Sequence, residues 1–254
     1  MARARRAAGW AAPHRGRCGR PARGLFALAL AVALAGCTGT LVERAVRARG
    51  GPLVSASREA DANVHRGFPG QWSFEIAYRT PDRLRWTIHA YGEDQSYVCD
   101  GQNVRLYLGT AALPVDPSQA AAFRTEMRFV AASALDALLD PSQATWTEVP
   151  AAELPAGAAA AVRATFRDAP GSDYLLAFDD RMLLVSLEGD VAIPTIGAGR
   201  LRALYRDFRD VAGYTLPFAG SYTLGGEPLM EETVRRWLPN DPSLTPASFA
   251  SPPP

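Results

Sequence analysis

The chain contains no lysine, so all 27 of its basic side chains are arginine. With abundant alanine, this reads as the composition of a GC-rich genome rather than as a function. Histidine is scarce: His14, His65 and His89 lie far apart, with no nucleophile signature beside them. A Ser-His or Cys-His triad is therefore not expected. Cysteine is equally scarce, at Cys18, Cys37 and Cys99. Long apolar runs are missing too. Residues 25–35 are apolar throughout but number only eleven, short of the ~20 that span a bilayer core as a helix.

What is present at the amino end is an address. Residues 1–24 carry seven arginines and no acidic residue, and a basic segment followed by a short apolar run and small residues describes a secretory signal. That run ends Leu34-Ala35-Gly36-Cys37, which resembles the lipobox of bacterial lipoprotein precursors. The resemblance implies cleavage before Cys37, a diacylglycerol on its sulfur and an acyl group such as palmitate on its new amino group. One chain holds a protein to a bilayer only marginally, whereas two or three hold it firmly. Thr38 stands where an aspartate would resemble the inner-membrane retention signal of enterobacterial lipoproteins. The expectation is thus a signal peptide over 1–36 and one domain over 37–254, tethered in the envelope, facing the periplasm, with the outer membrane favoured over the inner.

Without the leader, 20 arginines face 26 acidic residues, a net charge of about −6 in place of the full chain's +1. No basic footprint for nucleic acid remains. With Cys18 removed and Cys37 lipidated, Cys99 stands alone, so neither an internal disulfide nor a cysteine metal cluster is expected. Cys99, within "SYVCDG", reads as a buried strand residue. The paired acids Asp179 and Asp180 in "LLAFDDRMLL" read as a turn rather than a calcium loop, because no further acidic ligands cluster nearby. No catalytic residues, metal or cofactor are expected, and the chain does not read as an enzyme.

Elements follow from periodicity. "TLVERAVRARGG" predicts a short helix ended by glycines. From residue 53 the pattern alternates as strands do. Trp72, Phe74, Ile76 and Tyr78 share one face, with Ser73, Glu75 and Ala77 opposite. Leu84, Trp86 and Ile88 share the next, backed by Arg83, Arg85, Thr87 and His89. The arginines on that backing face read as solvated and ion-paired. A third strand over 95–99 meets the hairpin signal Asp100-Gly101, and Val104, Leu106 and Leu108 alternate beyond it, giving an antiparallel meander. Residues 117–140 predict a helix with Phe123, Met127, Val130, Leu135 and Leu138 on its stripe, between Pro117 and Pro141. Strands return at 162–166, 174–178, 182–188, 199–208, 215–224 and 227–238, and the proline-rich tail is expected to dock through Phe249. About ten strands with helices on one side predict an α+β, mainly β fold built on one curved antiparallel sheet.

The order of these parts resembles the LolA/LolB family of lipoprotein carriers. The likeness covers nearly all of 41–250: the leading helix, "TPDRLRW", the hairpin "YVCDGQNVRLYL", the mid-chain helix, and the closing "LPFAGSYTLGGEPLMEETVRRW" followed by "SLTPASF". It implies a half-open β-barrel lidded by helices, with a hydrophobic cavity that receives acyl chains. On this chain the implied lining is Trp72, Phe74, Ile76, Leu84, Trp86 and Ile88, closed by Phe123, Met127 and Val130 from the helix. The same side chains could equally fill a solid core. In the family's soluble carrier an arginine directly before the proline of the third-strand motif fastens the lid. Thr80 stands there in this chain, and Arg79 points to the other face. The nearest counterpart of the anchored member's protruding apolar loop is residues 108–117. The expected ligand is an acyl chain, phospholipid or lipoprotein, in a carrier or receptor of lipid or lipoprotein trafficking. The alternative is a non-catalytic sensor or interaction module for another envelope protein, since the stress-signalling protein RseB resembles the same half-barrel.

Overall fold

The first helix, α1 (Leu41–Arg49), shows how local sequence sets an element here. Thr40 and Glu43 form a reciprocal cap: the Glu43 amide donates to Thr40 Oγ1 at 3.3 Å, and the Thr40 amide donates to Glu43 Oε2 at 2.7 Å. The helix ends at Gly50 in the left-handed conformation, φ 116°. A Cβ there would sit 2.1 Å from the Gly213 carbonyl oxygen, so only glycine fits. Leu41, Val42, Ala45 and Val46 are buried in the main core.

In the computed structural model, residues 39–90, 92–169, 171–194 and 196–250 are described. The expected signal peptide over 1–36 and the expected lipidation site Cys37 lie outside them. Among the described residues thirteen strands form one antiparallel sheet. A first meander runs β1 (Ser55–Val64), β2 (Gly70–Arg79), β3 (Arg83–Ala90), β4 (Glu93–Asp100), β5 (Val104–Leu108) and β6 (Ala111–Leu113). A second runs β7 (Ala144–Glu148), β8 (Ala160–Phe166), β9 (Asp173–Phe178), β10 (Leu184–Ile193), β11 (Gly197–Val211), β12 (Tyr214–Leu224) and β13 (Glu227–Pro239). Pairing of β1 with β13, Asp61 opposite Thr233, joins the two into one sheet. β6 and β7 are left as its edges. The sheet is therefore a curved, unclosed half-barrel, as the alternation predicts, with three more strands than the ten expected. Bulges at Glu59/Ala60, Leu184/Ser186 and Tyr222/Thr223 add twist and bend.

One long helix, α2 (Pro117–Ala134), leads from edge β6 and is followed by edge β7. Asp116 caps it, accepting from the Gln119 amide at 2.9 Å, with Pro117 in the first turn. The predicted helix over 117–140 is too long. It stops at Ala134, Leu135 turns left-handed at φ 65°, and a 3-10 turn covers Asp136–Leu139. The cause is tertiary. Arg49 donates to the Ala134 carbonyl and, at 3.0 Å, to Asp136, whose carboxylate also takes the Leu53 amide at 3.1 Å.

On the sheet face away from α2, Phe249 is fully buried against Ala77, Val98, Tyr107 and Leu244. Arg79 Nη1 holds the Leu244 carbonyl at 3.0 Å. The docked tail explains why Ala77, on the side opposite Phe74 and Ile76, is nevertheless buried.

Candidate functional site

The inner face of the first meander is laid out by its register. Ile76, Trp86 and Tyr97 stand side by side across β2, β3 and β4. Phe74, Ile88 and Gln95 form the next row, and Tyr78, Leu84 and Cys99 the row on the other side. Helix α2 lies over this surface, with Phe123 stacked on Tyr97 at 5.1 Å between ring centroids. Sheet and helix do not meet everywhere. Between them is a cavity of about 300 Å³, at the lower end of the range of small-molecule sites.

Of the side chains expected on the lining, Trp72, Phe74, Ile76, Trp86, Ile88, Phe123 and Val130 border this cavity. Leu84 and Met127 do not: both are buried in the surrounding core. Phe74 is also buried, edge-on to Trp86 with ring centroids 6.0 Å apart. The far wall comes from the second meander, including Leu184, Ile193, Leu201, Tyr205, Tyr222 and Trp237. Sequence reading missed that wall, although the alternation of β11, β12 and β13 was the available signal. Phe68, in the β1–β2 loop, borders the cavity while 52% exposed.

Polar groups interrupt the apolar lining, and nothing in the local pattern announces the first of them. Arg58, on β1, makes an ion pair at 2.7 Å with Glu232 on β13, and the Tyr222 hydroxyl donates to Glu232 at 2.5 Å. The guanidinium lies over the Trp237 ring, 5.5 Å from its centroid. Burial works against the Arg58 charge, but Glu232 and the nearby tyrosines outweigh it and raise its pKa above the usual arginine value. Burial pushes the Tyr222 and Tyr205 hydroxyls well above the ordinary tyrosine range.

Glu126 is the second polar group, and it had a signal: it sits three residues after Phe123 and four before Val130, an acid within the apolar stripe of α2. Its side chain borders the cavity. The cavity leaves part of its surface accessible, while protein atoms surround it closely enough that burial pushes the carboxyl up to about 8. No hydrogen bond or ion pair to it is found among the described residues. The indole N–H groups of Trp72 and Trp86 also lack an acceptor.

Outside the cavity, His89 bonds Asp94 at 2.6 Å on an exposed stretch of the sheet. Cys99 is buried and burial raises its thiol pKa, which disfavours the reactive thiolate. Asp179 accepts the amides of Arg181 and Leu183 at 3.0 and 2.8 Å, as a turn aspartate does. Among the described residues no three His, Cys, Asp or Glu side chains converge as metal ligands. No helix among them is long and apolar enough to cross a membrane. Residues 108–117 form no free loop: the Gly109-Thr110 turn joins β5 to the exposed edge strand β6.

No protein-family model and no curated protein matches the sequence. Solved structures do. A LolA superfamily protein from Nitrosomonas europaea superposes with a TM-score of 0.53, over 82% of this chain and 95% of its own, at 11% identity. A DUF1329 family protein from Desulfovibrio piger gives 0.52 over the same shares, at 13% identity. The fold is LolA-like. At such identities the likeness establishes the architecture and leaves the task to the site.

Proposed function

We propose that this chain is a lipid-anchored envelope protein that binds an acyl chain, alone or on a phospholipid or lipoprotein, in the cavity beneath α2. It serves without catalysis as a carrier or receptor in lipid or lipoprotein trafficking. One observation carries the reading: a LolA-like half-barrel that its own side chains do not fill, with aromatic and aliphatic groups from both meanders around the void. Burying each methylene there contributes about 0.8 kcal/mol, so a chain of modest length gains enough to bind without any polar contact. The lipobox at 34–37 supports tethering at Cys37, and Thr38 supports the outer membrane.

A specific feature favours the second reading, a sensor or interaction module. Edge strand β6 is exposed at Ala111, Ala112 and Leu113, and an unpaired edge is a template for a partner strand.

Native mass spectrometry on the full chain carrying Cys37→Ser, which removes the lipid attachment, separates the two. A reproducible adduct that extraction identifies as phospholipid or acylated peptide supports the binding role. A bare mass unchanged by added acylated peptide contradicts it, and crosslinking to one envelope protein would then favour the interaction module.

A further inference from the structure

An acyl chain needs only apolar walls, yet this cavity carries a carboxyl group, that of Glu126, with no hydrogen-bond or ion-pair partner among the described residues. Among the described residues, every cation bordering the cavity already has a partner. Arg58 is held by Glu232, Arg49 by Asp136, and Arg66 donates to the Leu224 carbonyl at 3.0 Å. None of them serves Glu126. The Glu126 charge is felt by Tyr97 on β4, but the Tyr97 hydroxyl already accepts from Gln95 at 3.3 Å. The groups left unsatisfied on these walls are alike in kind. The Trp72 and Trp86 indoles can only donate. Glu126, whose carboxyl is raised to about 8 by burial, carries its proton by about ten to one near pH 7 and can donate as well. What would satisfy such walls is an acceptor.

Resting on the acyl-binding reading, we propose that Glu126 is the polar anchor of the cavity, donating its carboxyl proton to the carbonyl oxygen of an ester or amide at the head of the bound acyl chain. The site thus selects an acyl chain by its carbonyl as well as its hydrocarbon. Phe123 and Val130 on the same stripe of α2 flank the anchor, and Ile76, Trp86 and Ile88 on the sheet receive the chain. The ligand class is an O-acyl or N-acyl amphiphile, as distinct from an alkyl ether or an alkylamine.

The test uses the full chain carrying Cys37→Ser and three probes that share a dodecyl-length chain: monolauroyl glycerol, its ether analogue dodecyl glycerol, and dodecylamine. Affinities are read by displacement of a fluorescent fatty acid, below each probe's micellar concentration. The ester is expected to bind about tenfold more tightly than the ether, one neutral hydrogen bond's worth. Glu126→Gln, which keeps an N–H donor, should preserve that preference within about threefold. Glu126→Leu should abolish the preference while leaving ether affinity unchanged or improved. Equal binding of ester and ether by the parent protein overturns the anchor and leaves the acyl-binding reading standing. So does amine binding that exceeds ester binding and is lost in Glu126→Gln, which would make the group an ion-pair partner. Binding of none of the probes, nor of the fluorescent fatty acid, overturns both.

Discussion

The guanidinium of Arg49 in the last turn of α1 donates to Asp136 at 3.0 Å, with only 8% of either side chain exposed, and it also reaches the Ala134 carbonyl at the end of α2. This pair ties the two helices together beside the cavity. It stands where no strand arginine does so: Thr80, before Pro81, bonds the Val54 carbonyl, and Arg79 holds the tail on the outer face. Breaking a buried pair strands the other charge. Arg49→Ala and Asp136→Asn are each expected to lower stability by about 3 kcal/mol, read as a shift of the urea midpoint at constant slope. A loss below 0.5 kcal/mol would show that α2 does not depend on the pair.

Glu126 makes stability depend on pH in a direction opposite to a salt-bridged acid. Its carboxyl holds a proton up to about 8 when folded, against 4.5 for an ordinary solvated glutamate. The folded state therefore binds more protons between those values, and stability falls as pH rises from about 4.5 to about 8. Glu126→Gln removes that penalty. The variant should match the parent at pH 4 and exceed it at pH 8.5 by an amount on the order of a few kcal/mol. Equal stability at both pH values would mean that the carboxyl ionises freely in the cavity.

Gly50 is needed for close approach as well as for its left-handed backbone. Gly50→Ala must move the Gly213–Tyr214 turn, since the added carbon would meet its backbone at 2.1 and 2.9 Å. A loss of at least about 2 kcal/mol is expected, measured by chemical denaturation. A neutral Gly50→Ala would contradict the packing of α1 against that turn.

Phe249 tests whether the tail belongs to the fold. It is fully buried on the outer face of β2, β4 and β5. Phe249→Ala is expected to cost about 3–5 kcal/mol and to expose the segment after Pro239 to proteolysis. Unchanged cleavage kinetics would show that the tail contributes no packing.

Much of this architecture can be read from the chain because local signals agree with the final packing. Trp72–Tyr78 and Leu84–Ile88 alternate cleanly, and Asp100-Gly101 fixes the hairpin, where a Cβ on Gly101 would sit 2.5 Å from Asp82 Oδ2. What escapes local reading is set by contacts between distant segments. Strand β1, "SASREADANV", has little apolar content and is held by pairing with both β2 and β13. The end of α2 is decided by Arg49, 85 residues earlier than Ala134. The Arg58–Glu232 pair joins the two ends of the sheet sequence and has no periodic signature. Glu126, by contrast, stood in view as an acid on an apolar stripe.

The central claim is that an acyl-bearing ligand occupies the space beneath α2, and filling that space tests it most directly. Val130 borders the cavity and is only half-buried, so Val130→Trp can project into the void. Native mass spectrometry of the full chain carrying Cys37→Ser, with and without Val130→Trp, should show one acyl ligand per parent chain and none on the variant, at unchanged melting temperature. Equal ligand occupancy in both proteins would place the ligand elsewhere and contradict the account.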